Sequence, residues 1–370
     1  MSRRNRVLRP AVWGIYVVVV LEFLFMISPF ALHFYSAYGP ALNLLHGSPA
    51  TSWLTGFFLP HFSDTASPLI NGTTGLGFIM AGVGLVLFLV GALQVYGAKL
   101  LRRGAVTGGL YRWVRHPQYL ALAVLGLGVV LIWPRFLVLV SYISMLFLYH
   151  VLARVEEERC LVQYGDGYRE YMARTGRIVP LVVGQDASPP RPLRAVRLVP
   201  LAVAALVAGV GVGVALRAYS LGQVTSTYTL DTAVLSPAVL TTEELEAAYR
   251  TALTDTELGR VLDAMGPEAR FVVYVVPHDW FLPDLPLHTE AEIREIGGGH
   301  RTGDFDRSRF KVLFTRARLH SGATGRQIVT RAFGRDPVLI VSVDTWTRSV
   351  IETAQPPDHV IWGDIPTPMI

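Results

Sequence analysis

Gly108-Gly109-Leu110-Tyr111-Arg112-Trp113-Val114-Arg115-His116-Pro117-Gln118-Tyr119 leads into an apolar hairpin, and the hairpin runs out into Glu156-Glu157-Glu158-Arg159-Cys160-Leu161-Val162-Gln163-Tyr164-Gly165, closing on Tyr168 and Tyr171. Two polar, aromatic-bearing clusters therefore stand at the feet of a pair of short apolar helices. The arms are residues 117–133 and 136–153, with Pro134-Arg135 at the tip. The apolar part of the first arm, residues 120–133, reaches only ~21 Å at about 1.5 Å per residue, against a hydrocarbon thickness of ~30 Å. Whether this arm crosses or stops part-way, both feet lie on one side. Arg112, Arg115, Arg154 and Arg159 at the feet assign that side to the cytoplasm.

The rest of the chain fits a membrane setting. Of 370 residues, 51% are hydrophobic and only 16% charged, and the mean hydropathy is +0.40, values that belong to integral membrane proteins. The excess of five positive charges then marks cytoplasmic flanks and does not imply a nucleic-acid partner. The single cysteine, Cys160, excludes an internal disulfide framework and a cysteine-based metal cluster.

Arg3, Arg4, Arg6 and Arg9 precede a first span at residues 11–32, which places the N-terminus in the cytoplasm. Residues 33–98 hold no Lys or Arg, so the loop 36–74 is expected outside. The second span is 75–98, closed by Lys99, Arg102 and Arg103; the hairpin follows, then a basic connector (174–197) and a fifth span at 198–216. Glu22 in the first span reads as a substrate or proton contact, or as a carboxyl bonded to a neighbouring helix. The glycines of the second span suit close helix packing; alternatively, Gly82-Val83-Gly84 leaves room for a cofactor against the backbone.

Residues 218–370 have ordinary soluble composition and lie outside after five crossings. Thr241-Thr242-Glu243-Glu244 is a capping box opening a helix through about Met265. Residues 271–276, 312–314 and 338–343 are β-branched runs that read as buried strands, with helices expected at 289–296 and 322–333. The fold class is thus an α-helical polytopic membrane domain (1–217) followed by a small extracytoplasmic α/β or α+β domain (218–370).

Pro117 stands where proline is favoured at a helix start, and the free amides there attract anions. Arg115 and His116 directly before it suit a carboxylate or phosphate, and Tyr111, Trp113 and Tyr119 offer flat faces and hydroxyls. Glu156, Glu157 and Glu158 read either as a solvated helix end balanced by Arg154 and Arg159 or, because acidic residues at a helix C-terminus oppose its dipole, as spending at least one carboxylate on a ligand such as ribose hydroxyls or a cation. Tyr164, Tyr168 and Tyr171 recur at helical spacing, although Gly165 and Gly167 weaken the helix there. His278-Asp279, His288, His300 and Asp304 lack the tight spacing of metal ligands, and no metal is expected. Gly297-Gly298-Gly299 has no Lys-Ser/Thr after it and is not a phosphate loop. Asn71-Gly72-Thr73 is a formal glycosylation sequon.

Gly109-Leu110-Tyr111-Arg112-x-x-Arg115-His116-Pro117-x-Tyr119, the hairpin, Glu156-Glu157 and Tyr164-Gly165-x-x-Tyr168-x-x-Tyr171 together resemble the isoprenylcysteine carboxyl methyltransferase and phospholipid methyltransferase superfamily, over about residues 75–180. The resemblance implies S-adenosylmethionine bound on the cytoplasmic side. It implies that Arg115, His116 and Tyr119, with Tyr111 and the Pro117 helix start, hold its methionine end, and that Glu156 and Glu157 hold its sugar or amino group. Gly82-Val83-Gly84 resembles the Gly-x-Gly of the phospholipid enzymes. Ala121 replaces the glycine usual two residues after the tyrosine, and Cys160 a usual leucine. No dedicated general base is visible, which favours a carboxylate or thiolate acceptor or a non-catalytic use.

Three readings follow. The first is a membrane methyltransferase acting on a lipid-like or small hydrophobic acceptor (carboxylate, thiol or amine). The second is an NADPH-dependent membrane enone reductase, whose class shares a similar Arg-His-Pro-x-Tyr foot. The third is a non-catalytic membrane anchor presenting an outer binding domain. The Glu-Glu pair favours the first. The expected partners are the lipid bilayer and a hydrophobic substrate, with no nucleic acid; the glycine-rich spans permit a homo-oligomer, and the outer domain a protein partner.

Overall fold

The computed structural model describes residues 3–38, 41–101, 104–180, 195–296, 300–357 and 369. Arg102, Arg103, residues 181–194 of the connector and the glycines 297–299 lie outside the described residues. In chain order the helices of the first half are α1 (Arg3–Tyr38), α2 (Ala41–His46), α3 (Pro68–Asn71), α4 (Thr73–Leu100), α5 (Pro117–Ile132), α6 (Phe136–Arg174) and α7 (Ala195–Leu221). There follow β1 (Ser226–Tyr228), β2 (Thr232–Leu235), α8 (Thr242–Ala252), α9 (Thr256–Met265), β3 (Phe271–Pro277), α10 (Glu290–Ile296), β4 (Arg309–Arg318), α11 (Arg326–Arg331), β5 (Gly334–Asp344) and β6 (Ser349–Ala354).

The chain divides into two compact units, Met1–Tyr38 with Thr74–Trp133 and Leu137–Gly211, and Gly39–Thr73 with Pro134–Phe136 and Val212–Ile370. Residues 39–73 and the hairpin tip thus group with the C-terminal region, whereas the expected boundary at 217/218 counts them with the membrane part.

The first unit is helical. Three helical stretches are long and apolar enough to cross a bilayer, Pro68–Leu100, Phe136–Arg174 and Leu198–Leu221; Val20–Ser36 and Pro117–Ile132 are shorter apolar helices. The protein is an integral membrane protein. Within the unit, α4 and α5 approach to backbone contact. A methyl group added at Gly84 would lie 2.5 Å from the Leu125 amide nitrogen and 2.7 Å from the Ala121 carbonyl oxygen. One added at Gly128 would lie 2.6 Å from the Gly77 carbonyl oxygen. Lipid offers no hydrophobic drive for such a contact, so dispersion between close backbones carries it. Glu22 is hydrogen-bonded to Lys99 across from α1 to α4, which makes it a paired carboxyl.

α5 opens on Pro117 after His116, whose backbone is not helical, and it buries Tyr119, Ala121 and Leu122 against Met145, Tyr149 and Ala153 of α6. The kink in α6 falls at Gly165 (φ 56°, ψ −130°), a conformation unfavourable for residues with a Cβ. Beyond it Tyr168, Tyr171 and Met172 form a small apolar cluster of their own.

The second unit is built on a six-stranded sheet in the order β1-β2-β3-β4-β5-β6. All neighbours are antiparallel except β2 and β3, which are parallel and joined through α8 and α9. Its core includes Val273, Tyr274, Phe310, Leu313 and Val341, all fully buried or nearly so, and Phe62 of the 39–73 segment joins them. The capping box at Thr241 and Glu244 forms as expected. The helix it opens stops at Ala252, however, and a second begins at Thr256 because the Asp255 side chain accepts a hydrogen bond from the Leu258 amide (2.7 Å). Strands β1, β2 and β6 were not expected. β1 and β2 are only three and four residues long, and β6 is largely exposed, so none carries a long apolar run. The sequon Asn71 is held at both ends of its side chain by Thr65 (2.8–2.9 Å).

Candidate active site

The site is assembled by backbone before side chains. Residues 109–112 make a single 3-10 turn, and residues 114–116 run beside 176–177 as a short parallel bridge, with the Arg115 amide donating to the Gly176 carbonyl (2.9 Å) and the His116 amide to the Arg177 carbonyl (3.1 Å). The Tyr171 hydroxyl donates to the Tyr111 carbonyl (2.6 Å). The segment beyond the Gly165 kink thereby folds back on the first foot and brings Arg177 with it.

The two feet meet directly. Glu157 is fully buried and receives Arg115 (3.2 Å), Arg177 (2.9 Å) and the His116 ring (3.6 Å). One residue earlier, Glu156 accepts from the Tyr119 hydroxyl and pairs with the other ring nitrogen of His116 (3.2 Å), yet its side chain stays 43% exposed. His116 is stacked on Tyr119, and Tyr119 on Tyr149 (ring centres 5.5 and 4.7 Å apart). Burial works against a charged imidazole at His116, but hydrogen bonds and charge from Glu156 and Glu157 outweigh it and raise its pKa. The cluster thus sets two carboxylates among Arg115, Arg177 and the His116 ring, and it is open to solvent at Glu156.

The predicted residues divide accordingly. Arg115, His116, Tyr119, Glu156 and Glu157 come together in one cluster. Tyr111 lies beside them, its hydroxyl donating to Gln118, and Pro117 is buried at the helix start. Gly84 is occupied by α5, so its missing side chain serves helix packing; an added methyl group at Gly82 would meet nothing within 4 Å. Tyr168 and Tyr171 are buried and Tyr164 is partly exposed. Sequence reading missed Arg177, twelve residues past the Gly165 kink, because its approach to Glu157 depends on the turn that the kink creates. It also missed Gln94, whose side chain accepts from the Leu110 amide (3.2 Å), and Gln118.

Elsewhere, His300 is bonded to the buried Asp284, His288 packs against Phe281, and among the described residues no three His, Cys, Asp or Glu side chains gather as a metal-ligand set.

No curated protein and no solved structure matches the chain. Residues 70–167, which hold α4, the hairpin and the Glu156-Glu157 foot, match the model of the phospholipid methyltransferase family, part of the membrane methyltransferase superfamily that includes the isoprenylcysteine carboxyl methyltransferases.

Proposed function

We propose that the protein is a membrane-embedded, S-adenosylmethionine-dependent methyltransferase acting on a lipid-like or small hydrophobic acceptor, with the hairpin feet and the N-terminus in the cytoplasm and residues 218–370 outside. One observation carries the reading: inside the family-matched stretch, the basic-aromatic foot and the acidic foot share one cluster whose accessible member is a carboxylate, Glu156.

The donor set suits this cofactor. An exposed carboxylate braced by Tyr119 and His116 can accept hydrogen bonds from ribose hydroxyls or pair with an ammonium group. Arg115 and Glu157, closed against each other, act in this proposal as positioning residues that fix the 114–116 turn and the end of α6. His116 couples the two carboxylates and orients Glu156. When bound, the cofactor supplies an electrophilic methyl group on a sulfonium. The chain's work is to align the acceptor with it and keep water out. A carboxylate acceptor needs no base for this, whereas a thiol or amine needs prior deprotonation.

The test is transfer of label from methyl-labelled S-adenosylmethionine into lipid extracts of membranes carrying the protein. Labelled lipid with the wild type and at least tenfold less with Glu156→Ala is expected. Equal labelling with both, or labelling no greater than in membranes lacking the protein, contradicts the assignment.

A further inference from the structure

The second unit carries a cleft of about 620 Å³ where β4 leaves the sheet, between the residues entering β3 and those opening β5. Its charged lining is Arg270, Arg316 and Arg318 against Glu268 and Asp336. Arg316 lies centrally, in register with Phe271 of β3 on one side and Asp336 of β5 on the other. It is exposed and has no carboxylate partner among the described residues. Arg270 is fixed by the backbone carbonyls of Pro267 (3.0 Å), Ala269 (2.9 Å) and Ala323 (3.2 Å). Neutral acceptors hold its geometry without cancelling its charge. Only Arg318 is neutralised, by Asp336 (3.1 Å).

The wall is rigid as well as basic. The His320 ring lies flat on Phe333, 3.9 Å between centres and 5° from parallel, and the Arg318 guanidinium stands 5.9 Å from the centre of the same Phe333 ring. Arg318 reaches this position because residue 334 is glycine; a Cβ there would come 2.5 Å from the Arg318 Nε. The positive field extends past the cleft. His46, whose ring centre is 6.3 Å from that of Phe333, is held down to about 4 by burial and then by Arg318, Arg335 and Arg135.

We propose that this cleft binds a small phosphate-bearing ligand. Three planar guanidinium groups lining one cleft, Arg270 before β3 and Arg316 and Arg318 on β4, match the several acceptor oxygens and multiple charge of a phosphate better than the two oxygens of a carboxylate. Arg270 and Arg316 form no ion pair among the described residues, and the three arginines outnumber Glu268 and Asp336 in the lining, so the cleft presents net positive charge to an entering anion. The ligand is a soluble phosphate ester or the headgroup of an anionic phospholipid.

Calorimetric titration of the full-length protein in uncharged detergent with inorganic pyrophosphate tests it. Saturable binding is expected, weakened at least tenfold by Arg316→Ala, and likewise by Ser321→Glu, which adds a negative charge to the lining. Both positions are exposed turn or strand-end sites, and an unchanged melting temperature establishes that the variants are folded. Displacement of pyrophosphate at lower concentration by dihexanoyl phosphatidic acid than by glycerol 3-phosphate assigns the headgroup; the reverse order assigns the soluble ester. Absence of binding by the wild type, or binding by folded Arg316→Ala and Ser321→Glu as tight as wild type, overturns the proposal.

Discussion

Glu157, itself fully buried, collects Arg115, Arg177 and His116, while the carboxylate one residue earlier keeps 43% of its side chain in solvent. Adjacent residues on a helix point about 100° apart, and here that rotation separates a positioning role from a ligand role. Replacing Glu157 by Ala strands a buried guanidinium without its counter-charge, a change worth about 3–5 kcal/mol, and is expected to lower the melting temperature markedly. Glu156→Ala should leave the melting temperature near wild type. Thermal unfolding of both variants checks the ranking, and the opposite order would reverse the two roles. His116 adds a pH signature. Its folded pKa lies above the ordinary imidazole value of 6.5, so its contribution to stability is complete below 6.5 and is lost as pH rises through the raised folded value. The wild type should therefore lose stability as pH rises above 6.5 through the raised folded value. His116→Gln, already lacking that contribution, should show a flatter profile across the same window, which melting temperatures recorded against pH will reveal.

Among the elements, the α4–α5 contact depends on the absence of a side chain at Gly84. Gly84→Val forces apart backbones now in contact, an overpacking cost of about 1–3 kcal/mol, whereas Gly82→Val meets open space and should be close to neutral. Comparing their unfolding temperatures separates a packing glycine from a freely replaceable one. In the second unit Asp255→Ala removes the cap that starts α9, worth about 1 kcal/mol. A smaller loss than that of Thr241→Ala is not expected, since each residue caps one helix of similar length. The capping box, the proline start of α5 and the buried strands were legible in sequence because their signals are local. Asp255 has the same cap chemistry, but the apolar pattern continued through it and concealed the break. Arg177 left no local signal at all: its role arises only after Gly165 turns the chain.

For the whole molecule, the membrane character, the two kinds of region and the family over residues 70–167 were readable from composition and motif. The exact reach of the second unit was not. Residues 39–73 read as an outer loop, and only tertiary contact shows Phe62 seated in the core of the sheet. Phe62→Ala should accordingly cost about 3–5 kcal/mol, seen as a lower melting temperature for the second unit; a change below 1 kcal/mol would mean that this segment merely covers the sheet.

The central claim is that the meeting of the two hairpin feet forms a cofactor site with Glu156 as its accessible anchor. Calorimetric titration of the purified full-length protein with S-adenosylhomocysteine tests it most directly. Saturable binding is predicted, weakened at least tenfold, about 1.4 kcal/mol, by Glu156→Ala, with no heat from NADPH. Failure of S-adenosylhomocysteine to bind, or equal affinity in the wild type and Glu156→Ala, would contradict it.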